Sequence, residues 1–221
     1  MMPDGGVMPE GLRARVAADL APVRPLPPPL ARALWMLPVA AVLLVAAPLV
    51  FEWRPQAARL GWAGTWGLSM LQGAVAIAVV WAALTDAVPG RGWTRGAAAA
   101  ILALPVGLVI AITGWSWIES PVALARGWWL IGGLCFTGSA VSALPAAALA
   151  SVLAVRAYPT HPVRTGAMLG LGAGLMADAG WRLFCHYSEP AHVLTAHLGG
   201  VLAAVAAGVV LTRVLHGGAP R

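Results

Sequence analysis

Apolar residues in this chain come in long runs separated by short polar knots. A helix needs roughly 20 apolar residues to cross a bilayer. Six runs reach that length, at about Leu30–Phe51, Trp66–Leu84, Gly96–Trp117, Trp128–Val155, Thr165–Phe184 and His192–Val214. The pattern predicts an all-α integral membrane protein, a bundle of six transmembrane helices over residues 30–215. A tail of 1–29 precedes the bundle and a short one of 216–221 follows it. The connections at 52–64, 85–95, 118–127, 156–164 and 185–191 are too brief to hold a further domain.

The N-terminal tail has its own pattern. Leu12, Val16 and Leu20 fall on one helical stripe, with Arg13 and Arg15 elsewhere on the turn. The proline-rich VRPLPPPL that follows favours an extended, semi-stiff spacer. Such a stripe can dock in a partner's groove or lie on a leaflet. Some thirty residues precede the first apolar run, so the N-terminus does not read as a cleaved signal peptide.

Composition sharpens the class. Only 10% of the 221 residues are charged, and mean hydropathy is +0.80, both outside the range of soluble domains. The net charge of +6 comes from arginine, which supplies all 14 basic residues. With the N-terminus inside, ten arginines fall on the inner side; Arg54, Arg59, Arg126 and Arg182 fall outside. That asymmetry is the positive-inside bias, and it accounts for the charge without direct nucleic-acid binding.

The candidate chemistry is concentrated in residues 178–197, which hold Cys185, one of two cysteines, and His186, His192 and His197, three of five histidines. Asp178 and Arg182 stand one helical turn apart, close enough for an ion pair. Polar groups at such depth are costly, and they persist where something pairs or uses them. Gly166, Gly170 and Gly174 recur every four residues on the same predicted span, a spacing that lets a neighbouring helix approach closely. The sixth span, with its own small residues, is the expected partner.

Two sharper readings arise from the cysteines and histidines. Cys185, His192 and His197 are soft and borderline ligands for a transient metal ion such as zinc or copper. In a regular helix of about 3.6 residues per turn, however, His192 and His197 stand about 140° apart. Cys135 and Cys185 form the other candidate, a redox pair. Counting about 1.5 Å per residue from Trp128 places the two thiols ~10 Å apart in depth, too far to bridge unless the fifth span ends deeper. The chain has no glycine-rich phosphate loop, nucleophile elbow or HExxH motif, so enzymatic activity is not expected.

Several blocks together resemble the NrsF-type family of bacterial membrane anti-sigma factors. These are VAADLAPVRPLPPPLARAL before the first span, WAALTDAVPGR after the second and Cys135 in the fourth. RAYPTHP, the glycine run GAMLGLGAGLMADA, and Cys185 with CHYS and the later His192 complete the set. The resemblance covers roughly Ala14 to Leu215. It implies a multi-pass protein of the inner membrane, with both termini cytoplasmic, that restrains an extracytoplasmic-function sigma factor. It further implies that Cys135 and Cys185 sense oxidants or heavy metals. On that reading Leu12, Arg13, Arg15, Val16 and Leu20 are the candidate partner-binding residues. The alternative is a small metal-ion or proton transporter or channel lined by Cys135, Asp178 and His197.

Overall fold

A computed structural model describes residues 9–19 and 25–218. Every regular element among the described residues is helical. In chain order they are α1 (Glu10–Asp19), α2 (Pro29–Val50), α3 (Ala57–Asp86), α4 (Arg95–Glu119), α5 (Trp128–Val155), α6 (Pro162–Phe184) and α7 (Pro190–Gly217).

Local sequence sets the helix starts. α2, α6 and α7 each begin at a proline, whose fixed φ suits the first helical position and whose missing N–H goes unneeded there. α4 is capped by Thr94, whose hydroxyl accepts a hydrogen bond from Ala97 N at 3.3 Å. α3 and α7 each carry a π-helical turn near the start, at Ala63–Gly67 and Val193–His197.

α6 is the axis of the bundle. From Thr165 to Phe184 every residue but Ala167 is buried, and the helix packs against α7, α3, α5 and α2. Glycines make this possible. A Cβ at Gly166 would stand 2.7 Å from the Gly208 carbonyl oxygen, and one at Gly174 would stand 3.0 Å from Val201 Cα on α7. Gly170 meets the Ala204 carbonyl in the same seam, while Gly172 faces α3 at Ala76 and Val80. The spacing of small residues thus serves close backbone contact on more than one side.

The structure bears out five of the six expected spans by length and apolar composition. Five helices are long and apolar enough to cross a membrane, namely α2, α3, α4, α5 and α7. α6, the predicted fifth span, is not among them. It carries Arg164, Asp178, Arg182 and five glycines, and its neighbours shield it almost completely. A helix surrounded by protein has no need to be apolar all round. Trp181 shows how closely the neighbours enclose this helix. It is buried, and its indole N–H donates to Ser142 Oγ at 3.1 Å.

Two buried charges lock the end of the bundle where α3 and α5 finish. Asp86 accepts from Arg164 Nε at 3.1 Å, Thr165 Oγ1 at 3.0 Å and Trp93 N at 3.0 Å. Arg32 donates to the carbonyls of Leu153 at 2.8 Å and Leu84 at 3.4 Å, in the last turns of α5 and α3, where a cation is favoured. α1 differs from all of these. None of its residues is buried; Leu12 and Val16 are 52% and 47% exposed, Arg13 and Arg15 are exposed, and Leu20 lies outside the described residues.

A candidate thiol and imidazole site

The opposite end of the bundle holds the candidate site. α6 stops at Phe184, and Cys185 turns into extended backbone while its N–H still bonds to Trp181 O at 2.9 Å. The segment to Glu189 is then pinned inside the protein. Ser188 Oγ donates to Ser120 O at 2.6 Å and accepts from Val122 N at 3.1 Å, and Gln56 donates to the His186 carbonyl. These bonds tie the segment after α6 to the α4–α5 and α2–α3 connections.

The consequence is a correction to the depth argument. Cys135, two turns into α5, and Cys185 bring their sulfurs to 3.8 Å, both as buried free thiols. Counting residues from Trp128 placed them ~10 Å apart because it took the helix end for the surface. Cys185 Sγ is also 3.2 Å from His192 Nε2 and 3.6 Å from Tyr187 O.

The histidine argument is corrected as well. Residues five apart diverge in an α-helix, but the hydrogen bond of a π turn joins i to i+5, so they come into line. The turn at Val193–His197 places the His192 and His197 rings 5.5 Å apart. One ligand atom from each of Cys135, Cys185, His192 and His197 can be chosen so that all four lie within 4.8 Å of one another. All four residues are buried. His186 is not in this group; its ring packs on Phe184 at 5.5 Å.

A charged network supports the group from beneath. Asp178 Oδ1 is 2.7 Å from His197 Nδ1, and Oδ2 accepts from Arg182 Nε at 2.8 Å. Gln72 of α3 donates to the same Oδ2 at 2.8 Å. Arg182 reaches Thr113 Oγ1 of α4 at 3.2 Å, and Arg54 reaches the Arg182 carbonyl at 3.4 Å. Burial lowers the Arg54 pKa to about 10 against the pull of Cys185, with Arg182 lowering it further, which leaves the guanidinium charged at neutral pH. A cavity of about 10 Å³ lies between Arg54, Arg182, Cys185 and His197, room for about one water.

Sequence reading missed Gln72, Thr113 and Arg54 here, and Arg32 and Asp86 at the other end. Gln72 stands in an apolar run where an amide has no cheap place, and that was the one available signal.

The chain matches the NrsF family, described as negative regulator of sigma F, over residues 16–216. It belongs to that family. No curated protein and no solved structure matches the chain. The family expected from the sequence blocks is therefore the family found. Its described role is regulatory rather than enzymatic: negative regulation of a sigma factor, with a sigma factor as the partner that role implies.

Proposed function

We propose that this NrsF-family protein is a membrane anti-sigma factor that holds an extracytoplasmic-function sigma factor inactive and releases it on an envelope signal. The chain crosses the inner membrane six times, with α6 as the shielded crossing and both termini in the cytoplasm. The thiol end then faces outward and the Arg32–Asp86 end inward, as the arginine asymmetry favours. Leu12, Val16 and their flanking arginines form the handle for the sigma factor. Their exposure in α1 supports this role.

The observation that carries the sensing part is the 3.8 Å approach of Cys135 and Cys185. Two thiols at this distance react as a unit. Hydrogen peroxide accepts two electrons and the two thiol protons, an S–S bond forms, the O–O bond breaks, and two waters leave. A heavy metal captured by the same sulfurs perturbs the same contacts. Either event pulls on the ends of α5 and α6, and α6 runs the length of the bundle to Arg164 and Thr165 beside Asp86. A close-packed seam passes on such a shift because packed helices cannot yield locally.

Co-purification tests the reading. Full-length protein captures the sigma factor encoded with it, and a form lacking residues 1–24 does not; equal capture by both would remove the tail from the mechanism. A Cys135→Ser/Cys185→Ser variant keeps capture but no longer releases on oxidant or metal challenge.

A further inference from the structure

The four buried donors do more than bring two thiols together. We infer that Cys135, Cys185, His192 and His197 form a resident tetrahedral site for a divalent cation of the zinc class, with Asp178 as the group that orients His197. The inference rests on the sensing role of the same residues and extends it from thiols to a complete ligand set.

Geometry supports a metal over a chance meeting of side chains. Zinc binds sulfur at about 2.3 Å in a tetrahedron, which puts two thiolate ligands about 3.8 Å apart. The Cys135 and Cys185 sulfurs are separated by 3.8 Å, and His192 Nε2 stands 3.2 Å from Cys185 Sγ. Two cysteines and two histidines are a complete donor set for a closed zinc site. His197 commits Nδ1 to Asp178, which leaves Nε2 as its free nitrogen, buried and without a hydrogen-bond partner among the described residues. A carboxylate on the far nitrogen of a ligating imidazole is the usual outer support of such sites.

Charge and topology agree with this assignment. Two thiolates cancel a divalent cation, and Asp178 is already balanced by Arg182 at 2.8 Å. The ion with its two thiolates is therefore neutral, as is the Asp178–Arg182 pair beneath it, and the Arg54 guanidinium is the one further charge beside them. The ligands come from α5 (Cys135), from the residue closing α6 (Cys185) and from the start and π turn of α7 (His192 and His197). One ion thus ties three helices together at the end of the bundle that the sensing role needs to be labile.

Full-length protein purified under reducing conditions tests the site. Elemental analysis is expected to find about one zinc per chain, and cobalt to give thiolate charge-transfer and tetrahedral d–d bands. Cys135→Ser and His192→Ala should each abolish the cobalt thiolate signature seen in the parent, whereas His186→Ala should leave it unchanged. Asp178→Asn should weaken zinc affinity about 10–100-fold. A chelator should lower the melting temperature of the parent but not of Cys135→Ser. Reduced, folded protein that takes up no zinc or cobalt would overturn the site, as would cobalt spectra unaffected by His192→Ala. The two readings fail separately: metal uptake without sigma-factor capture would sink the anti-sigma role alone, and capture without metal would sink the site alone.

Discussion

Asp178 Oδ1 lies 2.7 Å from His197 Nδ1 across the boundary between α6 and α7. The same carboxylate holds Arg182 at 2.8 Å and Gln72 at 2.8 Å. It therefore joins three helices beneath the thiols, and its loss leaves a guanidinium buried without a counter-charge. Breaking one side of such a pair costs about 3–5 kcal/mol. Asp178→Ala should lower the melting temperature in detergent markedly. Asp178→Leu/Arg182→Met, which removes both charges, should recover much of that loss. Equal melting for the single and double variants would mean that the pair carries no such strain.

The π turn predicts an unusual sensitivity to chain length. Inserting one alanine after Thr195 should put the two histidines six residues apart, about 120° around an α-helix, and swing His197 away from His192 and the sulfurs. Thiol reactivity toward a small alkylating reagent and metal uptake should both change, while Thr195→Ala leaves them as they were. If the insertion behaves like the substitution, the turn does not position the imidazole.

The α6–α7 seam predicts a contrast between glycines. Gly170 has the Ala204 carbonyl against the place a side chain would take, whereas a Cβ at Gly73 would meet nothing within 4 Å. Gly170→Val should destabilise by about 1–3 kcal/mol through overpacking. Gly73→Ala should be neutral, or stabilising by about 0.5–1 kcal/mol. Unfolding in a denaturing detergent series reads both.

The thiol pair predicts an intramolecular disulfide. Mild peroxide treatment of the purified protein should link Cys135 to Cys185 with the loss of two hydrogens, measured by peptide mass. The sulfurs must close from 3.8 Å to about 2.0 Å. Oxidised protein in which each cysteine is found only as a separate sulfenic or sulfinic acid would contradict this pairing.

Much of the framework was legible in the sequence because lipid imposes a simple rule on it. Apolar runs marked the helices, and the glycine register of α6 pointed to its seam with α7. Asp178 and Arg182 were a turn apart and did pair. What escaped were features set by departures from ideal geometry. The His192 and His197 rings meet only through a π turn, which no residue count at 100° per step reveals. The sulfurs meet because Ser188 and Gln56 hold the 185–189 segment inside the bundle. Gln72, Arg32 and Asp86 gave little sign of their roles, since apart from Trp93 beside Asp86 their partners lie 52 to 121 residues away in the chain. α6 was read as an ordinary span because its length fitted, while its shielding depended on neighbours.

The most direct test of the whole account is the amount of sigma factor bound to full-length protein before and after the thiols are oxidised. Reconstituted in vesicles, the reduced protein should retain its sigma factor and lose most of it on peroxide treatment, with retention restored by reductant and no loss in Cys135→Ser/Cys185→Ser. Retention that is the same in oxidised and reduced protein would contradict the link between the thiol pair and the N-terminal tail.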